Sequence, residues 1–416
     1  MPIPVLMTNT SKFLEAADAI GARLCRDALW AGDRCNWLGD AMEFVESRWQ
    51  VVHRTFGPDL YGGTSGIALF LAYLFHCTQE KAFKKASMAA ARCALAQLEA
   101  FPMHANFGFY SGSTGVAYAL AEIGKLLNIE QFAHRSLQIL EALPSRDVAQ
   151  SWDVVSGSAG LIPALLKLHG GYNQDFLLET VLRHGDMLLG KANRSNEGWS
   201  WSTIQESGQK DLTGLSHGTA GIAWAFLELH KKFAEQRFLD AAEQALRYER
   251  RWYDPQQENW PDFRSQTETT PVSYGVAWCH GAPGIGLSRI RAYQISHDMT
   301  CKAEAEAAVR TTTKVLQAAV QSGQGNYSLC HGHAGNTELL VYAGTALEDE
   351  SCAQTVARVA EDGLQKYHLA RNPWPCGVLN AGETPNLMLG LSGIGYFYLR
   401  LYAPKTVPSI LLVCPN

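Results

Sequence analysis

A glycine-containing motif occurs seven times along the 416-residue chain, and this repetition constrains the fold more than any other feature. Each copy has two glycines three positions apart, and an apolar segment follows the second one. The second glycines are Gly66, Gly115, Gly160, Gly221, Gly284, Gly335 and Gly393. Such a pair suits a tight turn with positive φ and close helix packing. Each copy therefore predicts a turn followed by a buried helix.

Amphipathic stretches lie between the copies of the motif. Their charged side chains fall on one face of a helix, as in residues 81–98, 176–189, 236–252 and 302–319. Each repeat therefore pairs an inner apolar helix with an outer amphipathic one. Seven pairs can form an open solenoid or a closed ring, and a solenoid needs a polar terminal cap. The last inner helix, residues 394–401, is as apolar as the others, which favours an all-α fold of the closed α/α toroid type.

No Pro-, Gly- or Ser-rich linker divides the sequence. We therefore predict one toroid domain over residues 51–416, preceded by an N-terminal helical lead-in at residues 1–50. Long polar connections precede the fourth and fifth copies, and long loops on a compact scaffold often carry binding residues.

Composition excludes several classes of protein. With 35 basic and 40 acidic side chains the net charge is −5, which argues against a general nucleic-acid binder or a polybasic membrane surface. The longest nearly apolar run, residues 66–77, is too short to span a bilayer, and the N-terminus has no signal-peptide pattern. Ten widely spaced cysteines do not form the pattern of a small disulfide scaffold. We expect a soluble cytoplasmic protein whose cysteines are mostly buried thiols.

Reactive side chains accumulate at two offsets in the fourth to sixth copies of the motif. Five positions before the second glycine stand Ser216, Cys279 and Cys330, and each is followed by a histidine: His217, His280 and His331. Equal offsets predict equivalent places around a ring. Two thiolates and one imidazole suit Zn²⁺ and leave its fourth position open for a substrate. We predict a site formed by Cys279, Cys330 and His331, with His333 and His280 as alternative third ligands.

His217 shares the histidine offset but follows a serine rather than a cysteine. We therefore predict a general acid or base close to the metal. A fourth zinc ligand or a helix-cap histidine is the alternative role. Asp153 lies just ahead of the third copy and either orients an imidazole or anchors its loop.

Several blocks of sequence resemble one known family. They are GLSHGTAGIAWAFLEL from residue 214, AWCHGAPGIGLSR from 277, LCHGHAGN from 329, TPNLMLGLSGIGYFYLRL from 384 and VPSILLV from 407. The chain resembles the lanthionine synthetase C-like cyclases, and especially the cyclase domain of class II lanthipeptide synthetases, from about residue 37 to the end. The resemblance implies an α/α toroid, a Zn²⁺ on Cys279, Cys330 and His331, and catalytic roles for His217 and Asp153. The implied activity is closure of thioether rings in a ribosomally made precursor peptide.

The sequence departs from this family pattern in two ways. Some stand-alone members carry a tyrosine after the first zinc cysteine, whereas this chain has His280, which is therefore an alternative proton donor. Class II enzymes also carry a dehydratase domain ahead of the cyclase, and this sequence starts where the cyclase would. We therefore expect a dehydrated precursor peptide supplied by a separate dehydratase, unless the chain is an excised domain.

A carbohydrate-active enzyme and a non-catalytic zinc protein are two alternative functions for the same candidate site residues. A carbohydrate-active toroid would employ Asp153 and Glu383 as paired carboxylates, with tryptophans as sugar platforms, but it leaves the repeated Cys-His-Gly unexplained. The tryptophans at 199, 201, 260 and 278 are alternatively packing residues. A non-catalytic zinc protein that binds a peptide or glutathione would keep the metal ligands without turnover.

Overall fold

The structure is a computed structural model that describes residues 10–45, 48–100, 106–143, 151–204, 210–264 and 271–415. Seven inner helices within these residues begin at the repeated motif: α2 (Thr64–Thr78), α4 (Ser113–Leu127), α6 (Ser158–Tyr172), α8 (Thr219–Phe233), α10 (Ala282–Ser296), α12 (His333–Ala346) and α14 (Leu391–Tyr402). Seven further helices lie outside them: α1 (Ser11–Asp27), α3 (Lys81–Ala100), α5 (Glu130–Glu141), α7 (Asp175–Gly190), α9 (Gln236–Arg251), α11 (Met299–Ser322) and α13 (Ser351–Gly363). A π-helical segment, Leu364–Leu369, continues α13.

The inner helices form a closed ring. Each contacts the next one along the chain, and α14 contacts α2. Helix α1 packs on α14 and so provides the outer helix of the seventh pair. The predicted all-α toroid is confirmed, and the open solenoid is wrong.

The N-terminal region differs from the expected helical lead-in. After α1, the chain forms the antiparallel strands β1 (Leu29–Ala31), β2 (Arg34–Asn36), β3 (Leu38–Val45) and β4 (Arg48–Thr55). Strands β3 and β4 pair from Leu38–Thr55 to Val45–Arg48, whereas β5 (Asn193–Ser195) and β6 (Gly198–Ser200) form a short hairpin before α8. The β-branched and aromatic content of residues 49–55 favours a strand there.

A ring of backbone hydrogen bonds joins the seven turns. The residues that bond are those five positions before the second glycine, the offset at which Cys279 and Cys330 stand. The N–H of each such residue donates to the carbonyl of the corresponding residue in the next copy. In the third copy the donor is Val154 instead of Val155. The donor and acceptor pairs are Tyr61–Tyr110, Tyr110–Val155, Val154–Ser216, Ser216–Cys279, Cys279–Cys330, Cys330–Met388 and Met388–Tyr61, at N···O distances of 2.8–3.3 Å. Equal offsets in the sequence therefore occupy neighbouring places in space.

The repeated glycines are required mainly by close packing of the backbone, and not by a backbone conformation with positive φ. A Cβ on any second glycine would lie 1.7–2.3 Å from the carbonyl oxygen of the residue six positions earlier. The first glycines precede the inner helices, and only Gly281 has a positive φ, at 81°. The expectation of positive φ is therefore wrong for the other six first glycines. These positions require glycine because a Cβ there would lie within 2.4 Å of another atom.

The C-terminal segment packs against the ring of turns. Its residues Val407 and Ile410–Val413 are buried, and its carbonyls accept hydrogen bonds from ring side chains. Tyr110 Oη donates to Ile410 at 2.7 Å, and Trp278 Nε1 donates to Leu411 at 2.9 Å. Among the described residues, none of the helices combines the length and apolar character that a membrane span requires.

Candidate metal centre and catalytic residues

A cavity of about 420 Å³ lies at the centre of the ring of turns. Turns from several repeats line it with Tyr61, His217, Cys279 and Cys330, and residues of the β3–β4 hairpin, including Arg54, line it from another side. Each repeat therefore contributes to the cavity at least one residue at the two reactive offsets, although His280 and His331 do not line it.

Three potential metal ligands form one group, and two of them, Cys279 and Cys330, line this cavity. The Cys279 and Cys330 sulfurs and one nitrogen of His331 all lie within 4.8 Å of one another. His331 Nε2 donates a hydrogen bond to the Gly377 carbonyl at 2.8 Å, which leaves Nδ1 with a lone pair for a metal. Two soft sulfur donors and one oriented imidazole fit Zn²⁺.

The two thiols also interact with each other and with a nearby cation. A hydrogen bond from the Cys330 thiol lowers the pKa of the Cys279 thiol, and the positive charge of Arg264 lowers it further. The Arg264 guanidinium is itself held by Asp262, with Nη2 2.6 Å from Oδ2. The cation favours the thiolate form of Cys279, the form that binds metals, whereas the hydrogen bond with Cys279 and burial raise the pKa of Cys330.

The alternative third ligands lie elsewhere. His333 Nε2 is 3.0 Å from the Gln324 carbonyl, at the start of α12. His280 is only 2% exposed. Within the described part of the chain, neither histidine belongs to the group of potential ligands around the two thiols.

His217 and Asp153 form a hydrogen-bonded pair between adjacent repeats. His217 Nδ1 lies 2.6 Å from Asp153 Oδ2, so the imidazole donates from Nδ1 and its Nε2 is the remaining acceptor. The other carboxylate oxygen, Oδ1, accepts the Ser156 N–H at 2.7 Å. Asp153 therefore has both of the roles that the sequence left open, because each of its oxygens makes one of these bonds.

The imidazole of His280 stacks on the imidazole of His217. The two rings stack at a centroid distance of 5.9 Å and an angle of 28°. Neither ring nitrogen of His280 has a hydrogen-bond partner among the described residues, and Asp262 Oδ1 lies 3.9 Å from its Nδ1. Burial, with a contribution from Arg264, lowers the pKa of His280 to about 3. Its imidazole is therefore uncharged at neutral pH.

Sequence reasoning missed three residues at this site. Tyr61 has the same offset as Cys330 and lines the cavity together with it. Asp59 has the same offset as Asp153 and likewise caps its own turn, because its Oδ1 accepts the Gly62 N–H at 2.7 Å. The repeat register would have found both residues. Arg264 lies outside the repeated motif, so no signal in the sequence places it near the thiols.

The arrangement expected for a carbohydrate-active site is absent from the described residues. Glu383 Oε1 accepts a hydrogen bond from Arg23 at 2.7 Å and another from the Trp374 N–H, while Asp153 pairs with His217. Three of the four tryptophans named above are fully buried: Trp201, Trp260 and Trp278. The two carboxylates therefore do not form a pair, and these three rings pack in the core rather than forming a sugar platform.

Comparison with known proteins places this architecture in a family. Residues 55–412 match the family model of the lanthionine synthetase C-like proteins. Lacticin 481/lactococcin biosynthesis protein LcnDR2 of Lactococcus lactis subsp. lactis is 22% identical over 91% of this chain, which spans 39% of that relative's length. Nisin biosynthesis protein NisC of the same subspecies is 24% identical over 67% of this chain and 71% of its own length.

Solved structures show the same fold. Nisin cyclase superposes with a TM-score of 0.62 at 18% identity, covering 84% of this chain and 89% of its own. A GH76 α-mannanase of Bacteroides thetaiotaomicron has a TM-score of 0.50 at 11% identity, with 95% of this chain and 96% of its own covered. These two similarities concern the fold alone. Because the family model spans most of the sequence, the chain belongs to the lanthionine synthetase C-like family.

Proposed function

We propose that this protein is a zinc-dependent peptide cyclase that forms lanthionine and methyllanthionine thioethers by carbon–sulfur bond formation. The observation that carries the proposal is one cavity lined by two thiols and His217, with His331 beside the thiols and Asp153 bonded to His217. Zn²⁺ held by Cys279, Cys330 and His331 would favour the thiolate form of a substrate cysteine at its open position.

The reaction adds a peptide thiol across the double bond of a dehydroalanine or dehydrobutyrine. The new bond joins sulfur to the β-carbon, and the electron pair of the double bond moves to the α-carbon as an enolate. A proton must then reach the α-carbon, so the product has the same composition as the reactants. Facing the cavity, His217 accepts the proton released by the thiol and returns one to the enolate.

Asp153 and His280 support this proton transfer in different ways. The Asp153 carboxylate orients His217 through Nδ1 and stabilises its imidazolium form. His280 packs against the face of His217 and is the alternative donor, although its lowered pKa makes it the weaker acid–base group at neutral pH.

We extend the roles of these relatives to this chain within the same proposal. LcnDR2 and NisC are named as biosynthesis proteins of lacticin 481/lactococcin and of nisin. The substrate is then a ribosomally made precursor peptide, dehydrated beforehand by a separate dehydratase. The dehydratase is needed because the addition consumes a carbon–carbon double bond that serine and threonine lack.

Cyclisation of synthetic peptides tests this function. Each peptide carries one cysteine and one dehydroalanine, and the spacing between them varies across the series. Because addition leaves the mass unchanged, residual thiols are alkylated before mass spectrometry. We expect zinc-loaded protein to protect the thiol from alkylation and Cys330→Ala to leave it reactive.

Cys352→Ala is the matched control, since Cys352 is a buried thiol on α13. It should retain the wild-type rate. Free thiols throughout the series with the wild-type protein would contradict the cyclase, as would full activity of Cys330→Ala.

A further inference from the structure

We propose that Glu249 is a positioning residue for His217, because one oxygen of its carboxylate binds both ends of the turn that carries this imidazole. The inference rests on the proposed role of His217 in proton transfer. Glu249 lies on α9, outside the repeated motif. Among the described residues it belongs neither to the group of potential metal ligands nor to the lining of the cavity.

The turn from residue 214 to residue 220 has His217 at its centre, and the same atom holds it at both ends. Glu249 Oε1 accepts the Gly214 N–H at 3.2 Å and the Ala220 N–H at 2.8 Å. Ala220 lies in the first turn of α8, where backbone N–H groups have no partner within the helix. One side chain therefore fixes both the entry to this turn and its exit.

Other copies of the motif bind the first of these N–H groups locally, at the position seven residues before the second glycine. In the second copy the Gly108 N–H donates to the side chain of Asn106 at 3.2 Å. In the sixth copy the Ser328 N–H donates to the side chain of Asn326 at 2.9 Å. The fourth copy has Leu212 in the place of these asparagines. Its turn therefore depends on a carboxylate from another helix.

The surroundings of Glu249 make the turn its main polar contact. The side chain is fully buried, and its second oxygen has no hydrogen-bond partner within the described part of the chain. Burying a carboxylate costs free energy unless hydrogen bonds and opposite charge compensate. The two N–H groups of the turn and the positive charge of the buried Arg289 provide that compensation.

The position of this turn sets how His217 meets Asp153. His217 Nδ1 lies 2.6 Å from Asp153 Oδ2, a short contact that a small displacement of the turn would lengthen. Misplacing a reacting group by about 1 Å can lower a rate by about 10²-fold. Releasing the turn should therefore weaken the contact with Asp153 and slow proton transfer. The three potential metal ligands lie on other turns and should stay in place.

The chain offers two informative variants and a matched control. Glu249→Leu removes the acceptor from both ends of the turn. Ala220→Pro removes only one donor, and a proline fits this helix start because Pro283 stands at the same offset in the fifth copy. Glu228→Leu is the control, since Glu228 is also buried and lies on α8, but pairs with Arg291 at 2.5 Å instead of with the turn.

The experiment observes the His217 imidazole directly and needs no turnover. A proton on Nδ1 that is donated to a carboxylate gives a downfield ¹H NMR resonance, which His217→Asn assigns by its loss. We expect Glu249→Leu and Ala220→Pro to move this resonance upfield, and Glu228→Leu to keep it. The thiol-alkylation assay should show a cyclisation rate about 10²-fold below wild type for Glu249→Leu, with unchanged zinc content.

The outcomes separate this inference from the proposed function. An unchanged resonance in Glu249→Leu and Ala220→Pro would overturn the positioning role, as would an equal shift in Glu228→Leu. If Glu249→Leu did not fold, Ala220→Pro would decide alone. A wild-type protein with the downfield resonance but without cyclisation would contradict the proposed function, and the variants would still test whether Glu249 places His217.

Discussion

Asp153 shows how one residue joins the fold to the proposed chemistry. Its Oδ1 closes its own turn through Ser156, and its Oδ2 reaches His217 in the next repeat. Asp59 makes the first of these contacts in the first repeat. However, the residue in the second repeat at the offset of His217 is Ser111. A structural carboxylate therefore becomes a positioning group only where a histidine follows in the neighbouring turn.

For the single residue His217, we predict that His217→Asn lowers the cyclisation rate by about 10²- to 10⁴-fold, because asparagine cannot transfer the proton. Zinc content should stay near that of the wild type, since His217 is not part of the ligand group. Elemental analysis and the thiol-alkylation assay measure the two quantities. Loss of zinc together with activity would make His217 a ligand, whereas retention of both would remove its proposed role.

Asp153→Asn should have a smaller effect than His217→Asn, with a rate no more than about 10²-fold below wild type, the lower end of general acid–base effects. The asparagine oxygen can still accept the Ser156 N–H, so the turn is retained. Its amide nitrogen would face His217 Nδ1 with a donor instead of an acceptor, which loosens the imidazole. Measuring the rate alongside thermal unfolding separates this local change from a loss of the fold.

Among the structural elements, the turns depend on backbone contacts that leave no room for a side chain. We predict that Gly115→Ala destabilises the protein by at least about 2 kcal/mol, because its Cβ would lie 1.8 Å from the Phe109 carbonyl oxygen. Gly171→Ala is the control, since nothing lies within 4 Å of its Cβ near the end of α6. That control should be neutral or stabilising by about 1 kcal/mol. Equal stabilities in urea unfolding would show that the close approach is not required.

The repeat register explains what the sequence predicts about these elements and what it does not. All seven inner helices and the proximity of Cys279, Cys330 and His331 follow from equal offsets in a closed ring. The β3–β4 hairpin and Arg264 lie outside the repeat, and their places at the cavity depend on tertiary packing that no periodicity encodes. Positive φ occurs at Gly281, but at the other six first glycines close packing, rather than positive φ, is the physical reason for the predicted turn.

At the scale of the whole molecule, the apolar inner helices and the ring of turn hydrogen bonds hold the fold together. We therefore predict that removing zinc with a chelator abolishes cyclisation and leaves the helical circular dichroism largely intact. Structural zinc sites behave differently, because their binding free energy is also folding free energy. Cooperative unfolding under mild chelation would show that the metal is structural.

In the proposed mechanism, two protein cysteines and one histidine would hold a zinc ion whose open position receives the substrate thiolate. Zinc K-edge X-ray absorption, recorded with and without a cysteine-containing peptide, tests it most directly. The ligand set predicts two sulfur neighbours at about 2.3 Å in the protein alone and three after the peptide is added. A sulfur count that stays at two would rule out binding of the substrate thiolate to the metal, and a zinc ion without sulfur neighbours would rule out Cys279 and Cys330 as ligands.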